Sequence, residues 1–244
     1  MNEVILLHGF CENHSIWDPV KDVLDAYSVN AFDLPGFGTN EMVIETMDDL
    51  ADDVIRQMDQ AKITAACVIG HSMGGYVALN LLKRYPHRLT GLGLFHSTAY
   101  SDSTERKEAR NRAIEHITQY GADGYLKEMA SNLIWINHPE HDDLASLVHE
   151  LIKNERPEGL IQALKAMRDR SAETEVLQQT ELPVLMVAGF HDTFIPWKDL
   201  FTQASQCRQV MLHRMNHCGH LGPFEAVSES RQILLEFANW VYQR

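Results

Sequence analysis

The strongest chemical signal in the sequence is a serine among glycines, in the run GHSMGG at residues 70–75. The run has the G-x-S-x-G form, follows an apolar segment typical of a β-strand and precedes a helical pattern. A tight strand-to-helix turn holds such a serine clear of the backbone, and the glycines leave room for the turn. We predict that Ser72 is a nucleophile. A helix-capping serine with packing glycines is the alternative.

A serine hydroxyl needs a neighbouring base, and the chain offers 13 histidines. His220 lies in a loop after the last predicted strand and before the final predicted helix, which places it at the same edge of the sheet as Ser72. His217 competes by proximity alone, whereas His213 lies within a strand pattern and is expected to be a packing histidine. We predict that His220 is the general base.

The base in turn needs an acid that orients it. Asp192 lies just past the apolar run 183–188, and it completes the chain order Ser72, Asp192, His220. Asp192 would then fix the tautomer of the imidazole and stabilise its cation. Taken alone, this aspartate would be interpreted as an ordinary turn or capping residue, and the functional interpretation depends on Ser72 and His220.

Two backbone amides are candidates for stabilising a tetrahedral intermediate. His8-Gly9-Phe10 follows the first predicted strand, and the glycine permits a loop whose N–H points inward. The N–H groups of Phe10 and Met73 would together form a two-donor oxyanion hole. A simple glycine turn is the alternative.

The candidate substrate-binding residues are mostly apolar, which favours a modest acyl or aromatic group. Besides Phe10 and Met73 they are Phe95, Trp135, Phe194, Ile195 and Leu221. Several of them are also typical of a core. An arginine facing inward from residues 98–180 could pair with a substrate carboxylate. The candidates are Arg106, Arg110, Arg112, Arg168 and Arg170. None of them is singled out, because most are expected on solvated helix faces.

The elements that must position these residues alternate between apolar strands and helical patterns. Short apolar runs predict strands at residues 4–7, 29–32, 65–69, 89–95, 183–188 and 210–213. Helical periodicity appears at residues 47–58, 74–84 and 230–242. Apolar strands that alternate with helices predict a parallel sheet covered on both faces.

Residues 98–180 differ from the rest because they combine dense charge with apolar residues at helical spacing. We predict helices at about 104–120, 123–133, 142–154 and 157–170. A helical insert between two parallel strands would form a lid over the carboxyl ends of the strands, where ligands bind in open α/β sheets. We therefore expect one domain, with a core of residues 1–97 and 181–244 and a lid of residues 98–180.

Composition excludes several other classes of protein. The chain has 244 residues, with 21 basic and 34 acidic side chains and a formal net charge of −13. Without a basic cluster, neither nucleic acid nor an anionic membrane surface is an expected partner. No apolar run approaches the ~20 residues of a membrane span, and the start lacks the basic region of a signal peptide. Four cysteines without C-x-x-C spacing indicate free thiols in the cytoplasm.

Together these segments resemble the α/β-hydrolase superfamily, and within it the compact esterases, enol-lactonases and carbon–carbon hydrolases with a helical lid. The matching segments span nearly the whole chain outside residues 98–180: residues 8–10, Trp17, 33–38, 70–75, 85–89, 183–189, Asp192 and 219–220. The resemblance implies about six parallel strands in the family order 4-3-5-6-7-8, without the N-terminal hairpin that members often carry. It also implies that His8 and His71 orient loops.

The resemblance implies a serine hydrolase that cleaves a small-molecule carboxylic ester, thioester or lactone through an acyl-enzyme on Ser72. Haloalkane dehalogenases and epoxide hydrolases of this fold carry aspartate at that position, so both are disfavoured. A C–C bond hydrolase, a lyase or a perhydrolase would use the same three residues. A non-catalytic ligand receptor on the same fold is another alternative.

A metal hydrolase remains a further alternative, with Asp192, His213, His217 and His220 as ligands, although their spacing matches no zinc motif. No metal is expected on balance. No organic cofactor is expected either, because the phosphate-binding glycine patterns are absent. The expected partner is a small-molecule substrate. We expect a monomer or a weak homodimer paired through the exposed edge strand at residues 29–32.

Overall fold

The computed structural model describes residues 2–243, which form a six-stranded, all-parallel sheet with helices on both faces. The strands are β1 (Glu3–Leu7), β2 (Ser28–Phe32), β3 (Ala66–His71), β4 (Leu89–Phe95), β5 (Val184–Gly189) and β6 (Val210–Met215). Their order is β2-β1-β3-β4-β5-β6. This is the order predicted from the family resemblance, and the predicted fold class is confirmed.

Ten α-helices connect or flank these strands in the described part of the chain. They are α1 (Met47–Gln60), α2 (Met73–Arg84), α3 (Thr104–Tyr120), α4 (Asp123–Leu133), α5 (His141–Ile152), α6 (Pro157–Asp169), α7 (Thr174–Gln179), α8 (Trp197–Ala204), α9 (Gly222–Glu225) and α10 (Val227–Tyr242). The sequence did not predict α7, α8 and α9, because they are too short to show a clear helical period. Between residues 2 and 243, no helix has the length and apolar character needed to cross a bilayer.

The central strands are buried on both faces, as the continuous apolar runs predicted. Every residue of β3 and β5 is buried. Leu7 of β1 pairs with Gly70 of β3, and His71 of β3 pairs with Phe95 of β4. The carboxyl ends of three neighbouring strands therefore lie side by side, and the loops that follow them meet at one edge of the sheet.

Helices α3 to α7 follow one another between β4 and β5, with α3 packed against α6 and α4 against α5. A buried ion cluster ties two parts of this helical segment to each other. The carboxylate of Asp102, just before α3, contacts the guanidinium of Arg110 and lies 2.7 Å from Nη1 of Arg170. The side chain of Asp102 is fully buried. The cluster therefore holds the start of α3 to the end of α6.

Candidate active site

Ser72 occupies the turn between β3 and α2, with φ of 48° and ψ of −112°. This left-handed conformation is strained for a residue that is not glycine, and such strain concentrates at functional sites. The N–H of Ser72 donates to the carbonyl oxygen of Phe95 at 3.0 Å. The hydroxyl of Ser97 donates to the carbonyl oxygen of Ser72 at 2.7 Å. The end of β4 thus holds both backbone groups of the serine.

Two glycines allow this turn to close. A Cβ on Gly70 would lie 2.1 Å from the carbonyl carbon of Gly74, and a Cβ on Gly74 would lie 2.6 Å from the carbonyl oxygens of Leu7 and His8. Contacts this short do not occur between real atoms, so both positions require glycine. The sequence pattern therefore reflects close packing of the turn against itself and against β1.

The structure brings Ser72, His220 and Asp192 into one chain of hydrogen bonds. Nε2 of His220 lies 2.9 Å from Oγ of Ser72, and Nδ1 of His220 lies 2.8 Å from Oδ2 of Asp192. The other oxygen of Asp192 accepts the backbone N–H groups of Phe194 and Ile195, each at 2.8 Å. This is the geometry of a hydroxyl, a base and an orienting acid.

Asp192 stays ionised although it is buried. Burial alone would raise its pKa, but the charge of His220 and the hydrogen bonds from His220 and His96 bring the pKa of this carboxyl below its usual range. An ionised Asp192 accepts the Nδ1–H of His220. That bond leaves Nε2 of His220 as the atom that faces the serine hydroxyl.

Glu225 of α9 holds the loop that carries His220 through hydrogen bonds to its backbone. Its Oε2 accepts the N–H groups of Gly219 and Trp135, each at 2.8 Å, and its Oε1 accepts the N–H of Leu221 at 2.8 Å. The N–H of His220 itself donates to the carbonyl oxygen of Leu133 at 3.1 Å. The base is therefore held from α4 and α9 together.

His96 is a second histidine on Asp192 that the sequence analysis did not single out. Its Nδ1 lies 3.2 Å from Oδ2 of Asp192, and its backbone has φ of 50°. Full burial lowers the pKa of His96, so its ring is held neutral. The available signal was its position directly after β4, next to the strand that carries the serine.

A buried ion pair connects the loop after β1 with the end of β3. Oε2 of Glu12 lies 2.9 Å from Nδ1 of His71, and it accepts the N–H of Gly9 at 2.6 Å. The other ring nitrogen of His71, Nε2, donates to the carbonyl oxygen of His220 at 2.8 Å. Although burial opposes both charges, this pairing raises the pKa of His71 and lowers the pKa of Glu12. The sequence analysis missed Glu12.

His8 and His71 take the orienting positions that the resemblance implied. Nδ1 of His8 lies 2.7 Å from the carbonyl oxygen of Gly9, and Nε2 of His8 accepts the N–H of Leu34 at 2.9 Å. These two bonds fix the loop after β1. His71 does the same for the loop of His220. Neither ring hydrogen-bonds to Ser72.

The two amides predicted to form an oxyanion hole belong to Phe10 and Met73. Met73 is the first residue of α2, where helix N–H groups have no partner within the helix. Phe10 follows Gly9, whose own N–H is taken by Glu12. The N–H groups of Phe10 and Met73 make no hydrogen bond to any residue between 2 and 243. Both donors are therefore unpaired in the described part of the chain.

A cavity of about 260 Å³ adjoins Ser72 and His220. Its wall includes the predicted residues Phe10, Phe194 and Ile195. Helices α3, α4 and α6 supply much of the remaining wall. The other lining residues are Glu12, Tyr76, Arg106, Ala109, Arg110, Ala113, Tyr125, Met129, Leu133, Leu164 and Met167. Most of these were missed, because apolar periodicity alone does not tell which face of a helix in residues 98–180 points at the cavity.

Four predicted substrate-binding residues do not line this cavity. Met73 is fully buried at the start of α2. Phe95 is fully buried in the core, with its ring 5.7 Å from that of Trp17. Leu221 is fully buried beneath the loop of His220. Trp135 stacks on His191 at 3.8 Å and lines a neighbouring cavity of about 190 Å³ that also reaches His220. Nearness along the chain to a candidate site residue therefore did not predict which side chains face this cavity.

The five candidate arginines of the helical segment lie in different surroundings. Arg106 and Arg110 line the cavity, where Arg106 donates to the carbonyl oxygen of Phe194 and Arg110 pairs with Asp102. The others lie elsewhere: Arg112 is exposed, Arg168 pairs with Asp169, and Arg170 pairs with Asp102.

The structure does not assemble the metal-binding set considered from the sequence. His217 is exposed and His213 lies on β6. In residues 2–243, the group of His and acidic side chains at metal-ligand spacing consists of His96, Asp192 and His220. These three already hydrogen-bond to one another through Asp192, as an orienting acid requires.

Comparison with known proteins finds a matching family model and similar proteins. Residues 4–231 match the model of the alpha/beta hydrolase family. The chain is 26% identical over 202 residues to a pimeloyl-[acyl-carrier protein] methyl ester esterase of Shewanella woodyi, which covers 80% of this chain and 77% of that protein.

Solved structures resemble the chain over almost its whole length. A thermophilic esterase from Thermogutta terrifontis superposes with a TM-score of 0.91 and 29% identity, covering 99% of this chain and 91% of the other. An enol-lactonase from Burkholderia xenovorans superposes with a TM-score of 0.88 over 97% of this chain and 89% of the other. At 19% identity, the second match speaks for the fold alone.

Proposed function

The chain belongs to the alpha/beta hydrolase family and is a carboxylesterase-like enzyme. We propose that it cleaves small-molecule carboxylic esters, or related thioesters and lactones, through an acyl-enzyme on Ser72. The observation that carries the proposal is the 2.9 Å contact between Oγ of Ser72 and Nε2 of His220, with Asp192 behind the imidazole.

In the first half of the reaction, Oγ of Ser72 attacks the carbonyl carbon of the ester while Nε2 of His220 takes its proton. The N–H groups of Phe10 and Met73 hold the resulting oxyanion, and each such donor is worth about 3 kcal/mol of barrier. His220 then gives the proton to the departing alcohol oxygen. The acyl group remains on Ser72, and Asp192 stabilises the transient imidazolium.

In the second half, water replaces the alcohol. Nε2 of His220 takes a proton from the water as its oxygen attacks the acyl carbon, and the same two amides hold the second oxyanion. The proton passes to Oγ of Ser72 as the acyl–serine bond breaks, which releases the carboxylic acid and restores the serine hydroxyl.

The cavity supports a small acyl group. Its volume of about 260 Å³ lies below the roughly 300–1,000 Å³ of sites for drug-sized ligands. Phe194, Met129 and Leu164 supply apolar walls, so a short aliphatic chain or one aromatic ring would fit best.

We further propose that residues 98–180 act as a lid on the core formed by residues 1–97 and 181–244. Support comes from the walls that α3, α4 and α6 contribute to the cavity. A reducing compartment such as the cytoplasm is the proposed location, which fits the four cysteines, all of them free thiols.

The proposal is tested by measuring kcat/KM on p-nitrophenyl esters of graded acyl length with the wild-type enzyme and with Ser72→Ala. We expect a maximum at short acyl chains and loss of turnover in the variant, with an unchanged circular dichroism spectrum. Absence of hydrolysis across the whole series would overturn the proposal and favour C–C bond cleavage or a non-catalytic receptor.

A further inference from the structure

Glu12 is the one carboxylate among the residues that line the cavity. Only one of its two carboxylate oxygens has a hydrogen-bond partner in the described chain. Its side chain is 1% exposed. Oε2 binds the N–H of Gly9 and Nδ1 of His71. Oε1 is buried and makes no hydrogen bond to any residue between 2 and 243.

An unpartnered buried carboxylate oxygen is costly, and its chemistry is restricted. The charge and hydrogen bond of His71 outweigh the effect of burial and lower the pKa of Glu12, so the group is ionised at neutral pH. An ionised carboxylate only accepts hydrogen bonds. A buried acceptor without a donor costs free energy. A ligand that supplies a donor would remove that cost and so bind more tightly.

We propose that Oε1 of Glu12 binds a hydrogen-bond donor of the substrate, so that the preferred esters carry a hydroxyl or amide N–H group close to the scissile carbonyl. This inference rests on the proposed esterase function. The position follows from the other oxygen of Glu12, which holds the N–H of Gly9, the residue before the proposed oxyanion donor Phe10. A group that reaches Glu12 must therefore lie near the carbonyl carbon.

The charges around the cavity favour an uncharged donor over an ammonium group. The charge of Glu12 is already paired with that of His71. The other charged side chains of the wall, apart from the catalytic histidine, are the guanidinium groups of Arg106 and Arg110. A cationic group of the substrate would be repelled by the like charges of Arg106 and Arg110. An uncharged hydroxyl would not be repelled by them.

The test compares p-nitrophenyl esters that differ only in the donor. Lactate is matched with isobutyrate, and 3-hydroxybutyrate with 3-methylbutyrate, because each pair exchanges a hydroxyl for a methyl group of similar size. Each ratio of kcat/KM is divided by the ratio of the hydroxide-catalysed rates, which removes the intrinsic reactivity of the ester. We expect the wild-type enzyme to prefer the hydroxyl member of at least one pair by about tenfold or more, as for a hydrogen bond to a charged group.

Glu12→Gln exchanges the unpartnered acceptor for a donor. The amide oxygen can keep the bond to Gly9, and the amide NH2 then takes the place of Oε1. The hydroxyl preference should fall several-fold. The preference for 2-methoxypropionate over 2-methylbutyrate, a pair in which the ether can only accept, should rise. Glu155→Gln is the matched control, since Glu155 is a buried glutamate outside the cavity, and it should leave all ratios as in the wild type.

The outcomes separate this inference from the proposed function. Equal normalised rates within both wild-type pairs would overturn the Glu12 subsite and leave the esterase proposal standing, whereas no hydrolysis of any ester would overturn both. Unchanged ratios in a folded Glu12→Gln variant would also overturn the subsite. If that variant does not fold, the wild-type ratios alone decide.

Discussion

Nδ1 of His96 lies 3.2 Å from Oδ2 of Asp192, the same oxygen that His220 approaches at 2.8 Å. One carboxylate oxygen therefore serves two buried imidazoles. Burial keeps the ring of His96 neutral by lowering its pKa, so it can donate to Asp192 without competing for the negative charge as a cation would. This arrangement makes His96 a positioning residue for the acid.

His96→Ala should lower kcat by about tenfold while KM changes little, because Asp192 loses one of the groups that fix its carboxylate. His96→Asn is the matched variant, since asparagine tolerates the left-handed backbone at this position and keeps a side-chain donor. We expect Asn to recover most of the lost turnover. Equal kcat values for the wild type and the alanine variant, from steady-state kinetics on one short-chain ester, would contradict the positioning role.

Asp192→Asn should lower kcat by roughly 10³- to 10⁴-fold, because the amide favours the wrong tautomer of His220. His220→Ala should cost at least as much, since these residues act as a unit. His217→Ala is the control, because this exposed histidine makes no hydrogen bond to Ser72. Steady-state kinetics on one ester checks all three, and loss of activity in His217→Ala with activity retained in His220→Ala would reverse the assignment of the base.

The Glu12–His71 pair should stabilise the fold most strongly between about pH 4.5 and 6.5. The pKa of His71 is raised above 6.5, so its contribution is complete below pH 6.5 and is lost as pH rises through the raised pKa. The pKa of Glu12 is lowered below 4.5, so its contribution is complete above pH 4.5 and is lost as pH falls through the lowered pKa.

A double-mutant cycle of Glu12→Gln and His71→Gln measures this pairing. Urea unfolding at several pH values should give a coupling free energy of about 2 kcal/mol within that window and less on either side. A coupling energy that stays constant from pH 4 to pH 9 would show that the two groups do not interact as ions.

Asp102→Asn should destabilise the helical segment between β4 and β5. The substitution leaves Arg110 and Arg170 without their buried counter-charge, which costs about 3 kcal/mol. We expect a lower melting temperature by calorimetry and a raised KM, since Arg110 lines the cavity. Asp169→Asn removes an exposed ion pair with Arg168 and should change neither quantity measurably.

The sequence predicted the sheet and the turn that carries Ser72 because both leave local marks. Continuous apolar runs identify buried parallel strands, and the glycines at 70 and 74 mark a turn that a side chain would block. The helices at 104–120 and 123–133 have the predicted bounds. The strand order required the family resemblance, since spacing alone does not order parallel strands.

What the sequence could not provide depends on contacts between distant segments. Glu12 looks like a loop glutamate until His71, 59 residues away along the chain, is seen beside it. His96 reaches Asp192 across 96 residues. Phe95 and Leu221 adjoin site residues in the chain, yet their side chains point into the core. Side-chain direction at strand ends is set by tertiary packing, which no local pattern records.

Covalent labelling by a fluorophosphonate, followed by peptide mass spectrometry, shows whether Ser72 is the nucleophile. We predict one adduct per chain on the peptide that carries Ser72, much slower labelling in His220→Ala and no adduct in Ser72→Ala. Ester hydrolysis that persists in Ser72→Ala would contradict Ser72 as the nucleophile. So would an inactivated enzyme whose adduct lies on another residue.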